Sequence, residues 1–316
     1  MQEGKFLQAN TVTPADNKLG RRGLSRKHRD YIWAYLFIAP TVGGILLFLI
    51  GPMIYSFFMS LTAWNVITDP VFIGFDNYIR MFNDNLVRME LVNTLLFALF
   101  IVPFNLVFAL LIAVLLNRKI RGIGGFRIAM FLPYITLPVA SAVVWQHMFN
   151  NRFGMINGVL RMLDIPVVDW LGGSGTVFTI IVAMTVWASM GYFSIILLVG
   201  LKNMPISYHE AAKIDGASSG QTFFKITLPL LTPQIFFVVI MSAIGAFQMF
   251  DAILIFGRSI HIRDGIRTLT YGIYERAFLF HQMGYATANA VVLFTLIMLV
   301  TIMNFAFQKF WVHYDN

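Results

Sequence analysis

Long apolar runs separated by short polar segments dominate the sequence. Each run is at least as long as the ~20 residues that a helix needs to cross the hydrocarbon core of a bilayer. Only a helix or a closed barrel satisfies its backbone hydrogen bonds in lipid. The pattern therefore predicts an all-α, polytopic membrane protein with six transmembrane helices, at about 31–62, 90–117, 126–149, 176–201, 230–257 and 284–308.

Polar segments between the runs predict the domain organisation. The first run is too long for the 7–15-residue core of a signal peptide, and no small-residue cleavage site follows it, so we expect it to remain as a membrane helix. The predicted organisation is a basic cytoplasmic tail at 1–30, the first membrane helix at 31–62, an extracytoplasmic loop at 63–89, a five-helix core at 90–308 with a cytoplasmic loop at 202–229, and a cytoplasmic C-terminus at 309–316.

Composition supports the membrane prediction and charge predicts the orientation. Only 12% of the residues are charged, about half the share in soluble domains, and the mean hydropathy is +0.73. The side that carries both termini has 15 Lys and Arg residues, against 8 on the other side. By the positive-inside rule, both termini are cytoplasmic. This distribution also explains the net charge of +8 better than nucleic-acid binding does.

Several kinds of chemistry lack their sequence signatures. The chain has no HExxH motif, no GxxxxGK[ST] loop for ATP phosphates, and no pair of His residues at helical spacing. We therefore expect no catalytic centre, metal or cofactor in this chain, and a membrane enzyme is disfavoured. Asp251 is the only acid well inside a predicted span, whereas ion-coupled transporters usually carry several ionisable groups there. This observation disfavours a stand-alone secondary transporter or channel but leaves it as the alternative.

The cytoplasmic loop between the fourth and fifth spans predicts a helix–turn–helix on the membrane surface. Pro205 suits the first turn of a short helix, and Gly216 suits its left-handed end. Ser218 or Ser219 is expected to cap a second helix, which Pro229 closes. On this pattern alone, an ordinary amphipathic connector is an equal alternative.

The same loop carries a recognisable motif. Glu210-Ala211-Ala212 is followed after three residues by Gly216, and after nine more by Ile226-Thr227-Leu228-Pro229. This spacing resembles the signature loop of the permease subunits of ATP-binding cassette (ABC) importers. Further stretches extend the resemblance from about 35 to 307, most of all to the sugar and oligosaccharide branch that includes the larger membrane subunit of the maltose importer: Gly74-Phe75-Asp76-Asn77-Tyr78, Asn93-Thr94, Phe126-Arg127, Phe131-Leu132-Pro133-Tyr134, Phe250-Asp251, Tyr274, Ala277-Phe278 and Gly284-Tyr285-Ala286.

This resemblance implies a fold, partners and a location. The implied fold is the type I ABC importer permease fold in a bacterial inner membrane, with a second homologous permease subunit, two ATP-binding cassette subunits and an extracytoplasmic solute-binding protein as partners. ATP and Mg²⁺ would be bound by the ATPase subunits and not by this chain. The residues implied to couple this chain to an ATPase are Glu210, Ala211, Ala212, Asp215 and Gly216.

The resemblance also suggests a substrate path. Counted from the shared Leu-Pro, the cargo-facing stripe of the maltose relative falls here on Ser242, Gly245, Ala246 and Met249, although small or apolar residues replace most of its polar groups. A stripe of small residues is equally typical of helix packing. The candidate path residues, each with interhelical packing as the alternative, are Trp187, Tyr192, Ser242, Gly245, Gln248, Met249 and Asp251.

The outer loop after the fifth span is rich in arginine. Four arginines and two acids lie within 258–283, together with His261 and His281. We expect the positive charge either to receive an acidic cargo, such as a uronate oligosaccharide, or to hold an acidic patch of the solute-binding protein. The second interpretation is preferred because outer loops of this family touch that protein. The arginines are Arg258, Arg263, Arg267 and Arg276.

Overall fold

A computed structural model describes residues 26–118, 121–257 and 260–312. Most of the basic tail at 1–30, as well as Arg258, lies outside this description. The helices are α1 Arg26–Ile45, α2 Gly51–Met59, α3 Asp76–Asn83, α4 Asn85–Leu116, α5 Ile123–Ile135, α6 Pro138–Met148, α7 Met155–Met162, α8 Ser174–Asn203, α9 Ile206–Ile214, α10 Ser219–Thr222, α11 Leu228–Leu230, α12 Thr232–Phe247, α13 Asp251–Phe256, α14 Ile260–Ile266, α15 Leu269–Tyr274 and α16 Met283–Trp311.

Five helical segments in the described residues are long and apolar enough to cross a membrane. They correspond to the first, second, fourth, fifth and sixth predicted runs, and span Asp30–Met59, Asn85–Leu116, Ser174–Asn203, Thr232–Phe256 and Met283–Trp311. The chain divides into two units, 1–54 and 55–316. In the described part of the first unit, α1 continues into a π-helical turn at Leu46–Ile50.

The third predicted span is not one continuous helix. α5 and α6 meet at an angle of 97°, so the described residues contain five helices long and apolar enough to span a membrane, or six if this bent pair is counted as one span. Pro138 disfavours helical backbone in the residue before it, and Thr136 and Leu137 are accordingly extended, with ψ of 149° and 124°. The Pro133 carbonyl accepts hydrogen bonds from both the Thr136 hydroxyl, at 2.6 Å, and the Thr136 N–H, at 3.3 Å, which closes the end of α5.

The fifth predicted span is also interrupted. α12 ends at Phe247, the backbone leaves the helical conformation at residues 248–250, and α13 begins at Asp251. Phe250 has φ −134° and ψ −54°. The predicted run of 230–257 therefore consists of a long helix, a break and a short helix.

The core of the second unit lies where α4 packs along α8 and α12. Fully buried apolar side chains from these helices form two clusters, one that contains Phe97 and Ile181 and one that contains Ala109, Leu197 and Val238. α8 also approaches α5 closely, because a Cβ at Gly191 would collide with the Met130 carbonyl oxygen. This closeness requires glycine and places α5 beside the core.

The predicted extracytoplasmic loop has structure of its own. A two-stranded antiparallel ribbon, β1 Thr62–Ala63 and β2 Val71–Phe72, precedes α3 and is a small departure from an all-α chain. The Asn77 amide donates to the carbonyls of Ser60 and Thr62 at 2.8 and 2.9 Å. α3 is thereby held against the ribbon, next to the start of α4.

Candidate functional site

α9 forms the first half of the predicted helix–turn–helix. Pro205 is its N-cap, and Gly216, with φ +76°, follows its last turn. Ala217 N–H donates to the Ala212 carbonyl at 2.9 Å, and Gly216 N–H donates to the Lys213 carbonyl at 3.1 Å. These two bonds form a Schellman motif, which requires left-handed backbone at Gly216.

α10 forms the second half, and Ser218 rather than Ser219 is its cap. Gln221 N–H donates to the Ser218 hydroxyl at 3.3 Å, and Ser218 N–H donates to the Gln221 side chain at 2.8 Å. This reciprocal pair is a capping box. The turn between the helices is thus fixed by bonds within the segment itself.

The coupling segment, residues 205–229, exposes most of its predicted contact residues. Glu210, Ala211, Asp215 and Gly216 are exposed, and so are the apolar side chains of Ile206 and Ile214. Ala212 is the exception, because only 5% of its surface is accessible. Of the two motif alanines, Ala211 is therefore exposed and Ala212 faces the interior of its own chain.

A cavity of about 440 Å³ lies between α4, the bend of α5 and α6, α8, and the break after α12. Its wall collects six of the seven candidate path residues, together with Ala246 from the predicted stripe. These are Tyr192, Ser242, Gly245, Gln248, Met249 and Asp251. Residues on two predicted spans, more than forty positions apart, therefore meet at one cavity.

Trp187 is the candidate that the cavity does not include. It lies on an apolar surface with Phe104, Phe108 and Met190, and its ring centroid is 5.7 Å from that of Trp145. Trp187 therefore lies outside the cavity that the other candidates line, and its place in the path stays a prediction. The sequence offered the same two alternatives, substrate path or interhelical packing, for Trp187 and for Tyr192. It contained nothing that would assign the two residues to different surfaces.

Three polar side chains of the cavity wall form a chain of hydrogen bonds. Asn105 donates to the Ser242 hydroxyl at 2.9 Å and accepts from the Ser189 hydroxyl at 2.8 Å. Ser242 is 3% exposed, so its hydroxyl is engaged in joining α12 to α4. Sequence reasoning missed Asn105 and Ser189, although a polar residue in the middle of an apolar run is itself a signal.

An aromatic pair and one carboxylate complete the wall. The rings of Tyr134 and Tyr192 are stacked with centroids 4.2 Å apart and planes 6° apart. Tyr134 comes from the bend of α5 and α6, which brings it to the cavity together with Thr136. Among the residues lining the cavity, Asp251 is the only one with a charged side chain, and it stands at the N-terminal end of α13, where the helix dipole favours it.

The three arginines of the outer loop that the structure describes, Arg263, Arg267 and Arg276, all form ion pairs within the chain. Arg267 and Arg276, 3% and 4% exposed, both donate to the fully buried Glu90 carboxylate at 2.5 and 2.8 Å. Glu275 pairs with Arg267, and at 3.5 Å with Arg263. Burial lowers the pKa of Arg267, but Glu90 and Glu275 outweigh it and raise that pKa above its usual value. The expectation that Arg267 and Arg276 receive an acidic cargo or partner is therefore wrong.

Glu90 is a buried, ion-paired residue that the sequence analysis did not single out. It stands at the edge of a predicted run, and its two arginine partners are 177 and 186 residues away. Asp251 is consequently not the only acid inside a span, since Glu90 lies within the apolar helix Asn85–Leu116. The Glu90 carboxylate on α4 is neutralised by Arg267 and Arg276, two residues that the hydropathy pattern places in the outer loop.

Comparison with known proteins gives concordant results. Residues 78–312 match the family model described as binding-protein-dependent transport system inner membrane component. The probable ABC transporter permease protein YesP of Bacillus subtilis is 40% identical over 294 residues, covering 91% of this chain and 94% of that protein. The trehalose/maltose transport system permease protein MalF of Thermococcus litoralis is 30% identical, covering 87% and 92%.

Solved structures show the same fold. A chain of a bacterial alginate ABC transporter, crystallised with a periplasmic protein bound to an alginate pentasaccharide, superposes with a TM-score of 0.80 at 20% identity, covering 89% of this chain and 95% of that one. The expectation of a mostly helical, polytopic protein with the type I ABC importer permease fold is confirmed.

Proposed function

The chain belongs to the family of inner-membrane components of binding-protein-dependent transport systems, and we propose that it forms half of the translocation path for a sugar or oligosaccharide. The observation that carries the proposal is the presence, in one matched region, of a cavity with several polar side chains in its wall and of an exposed coupling segment. Transport then needs no chemistry in this chain, because closure of attached ATPases would move the coupling segment and reshape the cavity.

The partners follow from the family and from the two surfaces. We propose a second homologous permease beside this chain, two ATPases that bind ATP and Mg²⁺ on the cytoplasmic side, and a solute-binding protein outside. Exposed Glu210 and Ala211, flanked by Ile206 and Ile214, offer one ATPase an acid and an apolar surface. We propose that both termini are cytoplasmic in a bacterial inner membrane, and the distribution of Lys and Arg residues supports this orientation.

The cavity wall favours a carbohydrate. Tyrosine rings suit the apolar faces of sugars, and Gln248, Thr136 and Asp251 offer hydrogen-bonding groups to hydroxyls. Relatives are named for trehalose and maltose, for starch degradation products and for sn-glycerol-3-phosphate. Between a neutral oligosaccharide and a uronate, the wall favours the neutral one, because its only charged lining group is a carboxylate.

The experiment is to purify the tagged chain gently from native membranes and identify the proteins that accompany it. We expect a second permease, an ATPase and ATP hydrolysis that rises when a cargo-loaded solute-binding protein is added. Maltose-type oligosaccharides and a uronate oligosaccharide of equal length then compare the two cargo classes. A chain that purifies alone and transports solute in liposomes without ATP would instead establish a secondary transporter or channel.

A further inference from the structure

Two backbone carbonyls at the break between α12 and α13 accept hydrogen bonds from side chains about twenty residues further along the chain. The Thr270 hydroxyl donates to the Phe247 carbonyl at 3.0 Å, and the Thr268 hydroxyl donates to the Met249 carbonyl at 2.9 Å. Both acceptors flank Gln248. A helix interruption inside a membrane protein persists where other groups satisfy the freed carbonyls, and these threonines do so.

The segment that carries the two threonines is itself tied to α4. Leu269 N–H donates to the Thr94 hydroxyl at 2.9 Å, and the Asn93 amide donates to the Arg267 carbonyl at 3.0 Å. Thr268 is fully buried, and its hydroxyl also accepts from Tyr271 N–H at 3.3 Å as the N-cap of α15. The two hydroxyls therefore stand on a fixed support.

The buried charges hold that support in one arrangement. Glu90 on α4 binds Arg267, which immediately precedes Thr268, and Arg276, which follows α15. Gly272 leaves room for this packing, because a Cβ there would collide with both the Arg276 guanidinium and the Glu90 carboxylate. Separating buried charges is costly, so the cluster resists gradual displacement of residues 267–276.

We propose that Thr268 and Thr270 are positioning residues of the translocation path. Their hydroxyls keep residues 248–250 out of helical conformation, and the interruption places Gln248 and Asp251 in the cavity wall. Successive residues of a regular helix are rotated by about 100°, so closing the break would redirect both side chains. The inference rests on the proposed function only in treating the cavity as the path.

The test uses the absence of cysteine from the chain. A Gln248→Cys variant, in the detergent-solubilised complex with its co-purifying partners, reports the exposure of position 248 through its rate of reaction with N-ethylmaleimide. Replacing Thr268 and Thr270 together with Val removes both hydroxyls at nearly constant shape. We expect the labelling rate to fall about tenfold, as the loss of two modest hydrogen bonds predicts.

Two controls identify the cause. Replacing both threonines with Ser restores the hydroxyls and should restore the rate. Thr295→Val removes a hydroxyl that bonds only within α16, to the Val291 carbonyl, and should leave the rate unchanged. An unchanged rate in the Val double variant, or failure of Ser to rescue it, overturns the proposal.

The single variant Thr270→Val covers the case in which the double variant does not assemble. Its hydroxyl has no second role at a helix cap, so its loss tests the Phe247 contact alone. The labelling rate measures the position of residue 248, whereas ATP-dependent uptake by the unmodified chain tests the transport function. Failure of either inference is thus visible without the other.

Discussion

Two regions of the molecule are built in opposite ways, the outer end and the coupling segment. By outer end we mean the region that contains Asn77, Asp84, Glu90, Asn93, Arg267, Arg276 and Tyr285. At the outer end, buried polar groups from distant parts of the sequence bind one another, as Glu90 does with Arg267 and Arg276. In the coupling segment, the turn is held by bonds between residues no more than five positions apart, and the outward side chains are exposed. The first region is stabilised by its own chain, and the second is formed locally and available to a partner.

This contrast assigns different meanings to the motifs that carried the resemblance. Asn77, Asn93 and Tyr285 all use their side chains within the chain, and Tyr285 donates to Asp84 at 2.9 Å. Glu210 and Ala211 are exposed instead. Motif residues of the outer end therefore stabilise the fold, whereas these two motif residues of the coupling segment are exposed. If the coupling segment binds an ATPase as proposed, substitutions in the two regions should separate stability from coupling.

The largest expected effect is on stability at the outer end. Glu90→Ala leaves two buried guanidinium groups without their shared carboxylate and should cost about 3–5 kcal/mol of folding free energy. The measurement is the melting temperature and the yield of monodisperse protein in detergent. Glu210→Ala, which removes an exposed carboxylate of the coupling segment, is the matched control and should melt like the unmodified chain. Equal losses from both variants would erase the distinction between the regions.

A smaller loss of stability is expected from Gly272→Ala. The added methyl group meets the Arg276 and Glu90 side chains, and such overpacking typically costs about 1–3 kcal/mol. Gly158→Ala in α7 is the control, because a Cβ there meets nothing within 4 Å. A melting temperature unaffected by Gly272→Ala would mean that the charge cluster is looser than the structure shows.

Gly216→Ala tests the end of the coupling helix. Left-handed backbone costs a residue with a Cβ about 1–2 kcal/mol, and the Schellman bonds depend on that conformation. We expect normal membrane insertion but weaker stimulation of ATP hydrolysis by the loaded binding protein. Gly216→Asn should keep most of the stimulation, since Asn tolerates the left-handed region. Full stimulation in the Ala variant would separate this turn from coupling.

The most local expected effect comes from Ala211→Arg. The exposed position accepts a long side chain without disturbing the chain itself, so the melting temperature should not change, while co-purification of the ATPase should be lost. Ala212→Arg, at the buried neighbour, should instead lower the melting temperature. The pair sharpens the comparison to two adjacent residues, and identical behaviour of the two variants would contradict it.

Hydropathy and motif spacing predicted five of the spans, the coupling helix, and six residues of the cavity wall, because these depend on local pattern or on the motif. The breaks at 136–137 and 248–250 escaped prediction, since prolines near spans mark bends without giving their angle, and residues 248–250 contain no proline at all. The burial of Ala212 and the pairing of Glu90 also escaped it. Both depend on which distant residues meet, and no repeat or spacing in one sequence records that.

The buried carboxylate of Glu90 also sets a condition on biosynthesis. Arg267 is made 177 residues after Glu90, which at about 5–20 residues per second corresponds to about 9–35 seconds of synthesis. During that interval the Glu90 carboxyl group has not yet met its two arginine partners. The ion pairs of Glu90 with Arg267 and Arg276 can therefore form only late in synthesis, after the fifth span has been made.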